Sequence, residues 1–124
     1  MANLTNVQCV LAVKDLPTST AFYRDVLGFT LDFEVTGWAF LSRGRFQVML
    51  GECPDAMPAS RTGDHSYFAY VDVDDVDDLH SELSAKGVAR IQELADKPWG
   101  MREFGLRTPD GHRIMFGQRI TAAP

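Results

Sequence analysis

Three histidines, two cysteines and a run of aspartates are the side chains of this 124-residue chain that could do chemistry unaided. Their spacing argues against it. His65, His80 and His112 lie too far apart for a His-x-His or His-Glu-x-x-His metal site. His80 falls within a helical stretch and His112 at a turn, where exposure is expected, whereas His65 just precedes a strand and is kept as a metal candidate. Counting from Asp72, the run Asp72, Asp74, Asp75, Asp77 and Asp78 puts Asp77 at position six of a calcium loop, which needs Gly, and Leu83 at position twelve, which needs Glu. Negative charge at a helix N-terminus explains the run better. Cys9 and Cys53 have no Cys-x-x-Cys spacing and are expected to be reduced. No Ser-His-Asp, Cys-His or paired-carboxylate set can be proposed from spacing, so no catalytic residue is assigned.

The elements that would position a site are easier to read. Gln8 to Val13 is a strand, and Thr18 or Ser19 is expected to cap a helix that buries Phe22, Tyr23, Val26 and Leu27 and stops at Gly28. Phe29–Val35, Trp38–Ser42 and Phe46–Leu50 follow as strands broken by Thr36-Gly37 and Arg43-Gly44-Arg45. After a loop the order repeats: strand Tyr67–Val73, helix Val76–Lys86 with Leu79 and Leu83 inward, a stop at Gly87, then strands Val88–Leu94, Met101–Thr108 and His112–Gln118. Pro109-Asp110-Gly111 makes the turn between the last two. Val13-x-Asp15-Leu16 before one helix answers Val73-x-Asp75-Val76 before the other, so the chain is an internal duplication.

The expected organisation is a single α+β domain, 1–124, with module one at about 5–52, a linker at about 53–64 that could act as a flap, and module two at about 65–118. Two β-α-β-β-β modules would set their sheets side by side as a curved, cup-like mixed sheet with helices outside, and small ligands bind such concave surfaces.

Hydrophobic residues at 45% and charged residues at 23% are ordinary for a globular chain, which argues against wholesale disorder. A net charge of −5 argues against nucleic acid or an anionic membrane and leaves neutral or cationic small molecules. No stretch approaches the ~20 apolar residues of a membrane span, and the N-terminus lacks a basic region followed by an apolar run. A cytoplasmic protein is expected.

Val13-Lys14-Asp15-Leu16, Ala21-Phe22-Tyr23-Arg24-Asp25-Val26-Leu27-Gly28-Phe29 and Thr108-Pro109-Asp110-Gly111-His112 resemble the vicinal oxygen chelate superfamily, which includes glyoxalase I, bleomycin-resistance proteins and extradiol dioxygenases. The resemblance covers about Val7 to Gln118. It implies paired modules, a homodimer and, in the enzymes, a divalent metal on the concave face. The metal-ligand positions it implies fall on Gln8, Met49, Phe68 and Met115. Alternation supports Met49 over Leu50, because Phe46, Val48 and Leu50 then face the helix together. Thioethers and a phenyl ring cannot replace imidazole or carboxylate for a hard or borderline divalent ion, so no metal cofactor is expected. Gln8, with His65, is the remaining metal candidate.

The expected ligand-binding residues are Gln8, Trp38, Met49, Phe68, Tyr70, Trp99, Arg102 and Met115. Met49, Phe68, Tyr70 and Met115 would line the cup with soft apolar surface, or else simply pack its core. Trp99-Gly100-Met101-Arg102-Glu103 resembles the stretch before the last hairpin in bleomycin-resistance-like members, with Trp99 and then Trp38 as aromatic walls. Arg102 would meet an anionic group or pair with Glu103 or another acid. The expected function is metal-free binding of an aromatic or cationic small molecule such as a bleomycin-type antibiotic. The alternative is a metal-dependent lyase or dioxygenase.

Overall fold

Short apolar runs punctuated by Gly and Asp fold into the same unit twice. The computed structural model describes residues 1–63 and 65–120, and its two compact units meet in sequence at Pro58 and Ala59, inside the expected linker. Asp64, at the end of that linker, and residues 121–124 of the expected domain lie outside the described residues.

In the first unit, β1 (Cys9–Val13), β2 (Thr30–Val35), β3 (Trp38–Arg43) and β4 (Phe46–Glu52) form a mixed sheet in the order β1-β4-β3-β2. The β1-β4 pair is parallel and the other pairs are antiparallel. Helix α1 (Leu16–Ala21) crosses between β1 and β2 and packs on β3 and β4.

This helix starts ahead of Thr18 and Ser19, the expected caps. Asp15 caps it instead, its Oδ1 accepting the Thr18 N–H at 3.4 Å. Pro17 is accepted in the first turn, where a missing N–H costs nothing because those donors have no helical acceptor. The chain then widens into a π-type turn over Phe22–Val26, with the Leu27 N–H reaching back to the Phe22 carbonyl at 3.1 Å. That change of pitch buries Tyr23 and Leu27 but leaves Phe22 and Val26 half-buried, so the expected four-residue buried face is only partly formed.

The second unit opens with a 3-10 turn (Ala59–Arg61) and repeats the plan. Strands β5 (Tyr67–Asp72), β6 (Ala89–Asp96), β7 (Met101–Arg107) and β8 (Arg113–Arg119) are ordered β5-β8-β7-β6, with β5 parallel to β8 and α2 (Val76–Ala85) packed on β7 and β8. Asp75 caps α2 as Asp15 caps α1, accepting the Asp78 N–H at 3.0 Å.

The duplication extends to single contacts. The first N–H of α1, at Leu16, is taken by Glu52 Oε2 from the end of β4, and the first N–H of α2, at Val76, by Gln118 Oε1 from the end of β8, both at 3.0 Å. Leu11 pairs with Leu50 and Val71 with Phe116, each two residues before its Val-x-Asp. Gly28 and Gly87 close the helical segments at φ 76° and 73°, a region costly for any side chain with a Cβ.

Each core lies between helix and sheet. Leu11, Val13, Ala39, Leu41, Val48 and Leu50 are buried in the first unit, and Leu79, Leu83, Phe104, Leu106, Ile114 and Phe116 in the second. In the Pro109-Asp110-Gly111 hairpin, Gly111 donates to the Thr108 carbonyl at 2.8 Å and sits at φ 88°. A Cβ there would come within 2.5 Å of the Ser60 backbone nitrogen, so the hairpin and the 59–61 turn pack backbone to backbone. No described helix is long and apolar enough to cross a membrane.

Candidate functional site

Period-two alternation gives each sheet a face turned toward its helix and a far face turned away. On the far face of the first unit, the register lines up Val10, Met49, Phe40 and Phe33 in one row and Ala12, Gly51, Trp38 and Val35 in the next. Phe33 and Phe40 have ring centroids 5.7 Å apart, and Phe33 is 59% exposed. The Trp38 ring lies over Gly51, where an added Cβ would meet ring carbons at 2.8 Å. A polar row follows, satisfied from within. Ser42 Oγ donates to Asp32 Oδ2 at 2.6 Å, and the side-chain amides of Asn6 and Gln47 exchange two hydrogen bonds at 3.1 and 3.3 Å. Gln8 just precedes β1 and is exposed.

The far face of the second unit is built differently. Tyr70 pairs with Met115, Gly105 with Met115 across the other edge of β8, and Glu103 with Gly117. Gly117 has no side chain because Tyr70 lies in that space: a Cβ would collide with the hydroxyl and stand 2.7 Å from Cζ. Likewise the Met115 sulfur fills the space beside Gly105. Trp99 Nε1 donates to Glu103 Oε1 at 2.9 Å, and the Tyr70 phenol lies close enough to Glu103 to be perturbed by it. Glu103 is only 1% exposed, while Tyr70 and Trp99 remain 46% and 64% exposed. Burial and then Glu103 push the Tyr70 phenol up to about 12.

A neutral indole N–H bonds the buried carboxylate without supplying a counter-charge, and the two aromatic side chains beside it remain exposed. That combination favours a cation or a flat, electron-poor group against the rings.

The structure thus brings Tyr70, Trp99 and Met115 together in one unit and Trp38 and Met49 in the other. Phe68 sits at an irregularity in the β5–β8 pairing and packs edge-on against the His112 ring, centroids 5.9 Å apart. His112 is therefore half-buried rather than exposed, and burial lowers its pKa against the opposing pull of Asp110. His80 is also half-buried, edge-on to Phe104 at 5.1 Å and in contact with Arg90. His65 is exposed.

Arg102 takes the second of its two expected roles, pairing with acids of the fold. It shares the helix-side face with Phe104 and Leu106, donating to Asp77 of α2 at 2.8 Å and to Asp96 of β6 at 2.9 Å. Its neighbour Glu103 takes the far face, and the sequence reading gave Glu103 no role beyond pairing with Arg102. Counting in twos from Gly105, which faces Met115, would have found it.

The metal-ligand positions implied by the resemblance carry one amide, two thioethers and a phenyl ring, a donor set that does not fit a divalent ion. Among the described residues, no three His, Cys, Asp or Glu side chains converge on a common point.

Residues 6–116 match the Glyoxalase/Bleomycin resistance protein/Dioxygenase superfamily. A bleomycin resistance protein of Geobacillus stearothermophilus is 32% identical over 123 residues, covering 89% of this chain and 93% of that protein. Among solved structures, the bleomycin-binding protein of bleomycin-producing Streptomyces verticillus, in complex with copper(II)-bleomycin, is 27% identical with a TM-score of 0.74, covering 98% of this chain and 100% of that one. TioX from Micromonospora sp. ML1 is 28% identical with a TM-score of 0.75, covering 94% and 99%. The duplicated β-α-β-β-β plan and these matches agree, and the chain belongs to the glyoxalase/bleomycin resistance protein/dioxygenase superfamily.

Proposed function

We propose that this protein binds and sequesters a flat small molecule carrying positive charge, of the bleomycin class, as a cytoplasmic homodimer that holds no metal of its own and carries out no chemistry on the ligand. The observation that carries this reading is Glu103, buried beside the exposed side chains of Tyr70 and Trp99 and hydrogen-bonded by Trp99. Removing a carboxylate from water is costly, and a cation stacked on the rings offsets that cost. Trp38, Phe33 and Phe40 add aromatic surface on the first unit. The similarity to the bleomycin resistance and bleomycin-binding proteins supports the ligand class. The donors at Gln8, Met49, Phe68 and Met115 support binding without a resident metal.

Calorimetric titration with copper(II)-bleomycin, metal-free bleomycin and a panel of aromatic cations tests the reading. Saturable binding with quenching of tryptophan fluorescence, and recovery of the ligand unaltered, is the expected result. No heat with any of them at high protein concentration overturns it. A stoichiometric divalent ion in protein purified without chelator, lost in Gln8→Ala, would instead favour the metal-dependent lyase or dioxygenase.

A further inference from the structure

Three nitrogen donors on the far face of the second unit have no acceptor: Arg107 Nε, Arg113 Nε and Gln92 Nε2, each shielded from solvent. The register places them together. Arg107 lies directly opposite Arg113, and Gln92 lies opposite Gly105, two residues along β7 from Arg107. Arg113 is only 2% exposed, and its Nη atoms are occupied by the 59–62 segment: Nη1 by Thr62 Oγ1 at 2.7 Å and the Ala59 carbonyl at 3.4 Å, Nη2 by the Thr62 carbonyl at 3.0 Å. Among the described residues neither arginine has a carboxylate at ion-pair distance.

This is an unfavourable arrangement if nothing joins it. Two like charges directly opposite on neighbouring strands repel. A buried guanidinium without a counter-charge, and buried N–H groups without acceptors, are each destabilising. The first unit shows the same corner resolved. By the register to Met49 and Met115, Ser42 and Gln47 occupy the places of Arg107 and Arg113, and there Asp32 and Asn6 satisfy both. We infer that Arg107, Arg113 and Gln92 form an oxyanion site that takes the carboxylate or phosphate-type group of a small molecule. An oxyanion supplies both the missing negative charge and several acceptors, and guanidinium groups match it in geometry. Arg107 and Gln92 are half-buried, so their outer atoms border solvent and form the way in, with Arg113 beneath. Nothing in this inference depends on a cation at Glu103.

The test is a titration of the whole protein with sodium phosphate and, separately, sodium acetate, against sodium chloride at matched ionic strength, reading the arginine Nε–H resonances by NMR. Saturable shifts of the Arg107 and Arg113 signals with phosphate alone assign a phosphate-type group, with acetate alone a carboxylate, and with both a general oxyanion site. Arg107→Gln is expected to weaken binding about tenfold or more, as loss of a charged hydrogen-bonding group does. Arg102→Gln, one of the same strand's arginines on the opposite face, should leave the titration unchanged. Substituting Arg113 would release the 59–62 segment, so Arg113 is followed through its own resonance in the unsubstituted protein. Signals that move with neither oxyanion, that move equally with chloride, or that keep their affinity in Arg107→Gln overturn the inference.

Discussion

The two far faces of this molecule stand on matching strands and have almost nothing else in common. Register equates Trp38 with Glu103, Phe40 with Gly105, Ser42 with Arg107 and Gln47 with Arg113, around the shared pairs Met49 and Met115, Gly51 and Gly117. The first face is aromatic, and its polar corner is closed by its own hydrogen bonds. The second face keeps two carboxylates, Glu103 and Asp72, at one end and two guanidinium groups at the other, with soft apolar floor between them. The helix-side faces did not diverge in this way: Leu41 and Leu106 occupy the same place, and both are buried. In a duplicated fold the core is held to one solution because packing must be filled, whereas the far face is free to acquire charge, so ligand selectivity is expected from the second unit.

The largest effects should fall where the units agree. Leu41→Ala and Leu106→Ala each remove a buried leucine from an equivalent site, and each is expected to cost about 2–5 kcal/mol in urea unfolding. Closely matched losses would confirm the common core; a large loss for one and almost none for the other would break the equivalence.

Ligand affinity should separate the units. Glu103→Gln keeps the shape but removes the charge, and is expected to weaken copper(II)-bleomycin binding about tenfold or more. Trp38→Leu removes an aromatic ring from the equivalent place and should cost about two- to tenfold, in line with the modest worth of one ring contact. Calorimetry decides this, and equal losses would place selectivity in aromatic surface alone.

Tyr70 gives a smaller and more local reading of the same carboxylate. Its phenol, raised from 10.0 to about 12 chiefly by burial and then by Glu103, should ionise above the usual tyrosine range, read as the tyrosinate absorbance lost in Tyr70→Phe when both proteins are followed against pH. Because the folded pKa lies above the unfolded one, its contribution to stability is fully present below about pH 10 and is lost as pH rises toward 12. Glu103→Gln should bring that ionisation back toward 10. An unchanged Tyr70 titration in the variant would remove the Tyr70–Glu103 interaction from the account.

What the sequence disclosed and withheld follows from how local each signal is. The repeat of Val-x-Asp, the glycine stops and the Pro-Asp-Gly turn are short-range signals, and each unit's succession of strand, helix and three strands follows from them; which strands pair in the sheet does not. Alternation likewise put Met49 and Met115 opposite the core-facing Leu50 and Phe116. Asp15 was hidden as a cap because Pro17 reads as a breaker, although a first turn accepts it. Glu103 was hidden because one acid among 17 Asp and Glu reads as solvated surface. Tyr70 from β5 and Trp99 from the turn before β7 lie against it, and local spacing does not reveal that convergence. The exposure expected of His80 and His112 failed for the same reason, since Phe104 and Phe68 come from other strands to cover them.

Arg102 and Glu103 sharpen the contrast at its smallest scale, because adjacent residues on one strand serve opposite faces. Arg102 pairs with Asp77 and Asp96 on the helix side, where all three side chains remain substantially exposed. Exposed ion pairs contribute little and are screened by salt. Arg102→Ala should therefore lower the urea midpoint slightly, and the difference should vanish at about 1 M salt, where screening reaches within a few ångströms. Copper(II)-bleomycin affinity should stay as it is. Glu103→Gln should show the converse, with affinity lost and the urea midpoint nearly kept, since the amide fills the same space and no longer has to be buried as a charge. If Arg102→Ala lowered affinity as much as Glu103→Gln, the ligand would have to reach the helix side, and the division of the second sheet into a packing face and a binding face would fall.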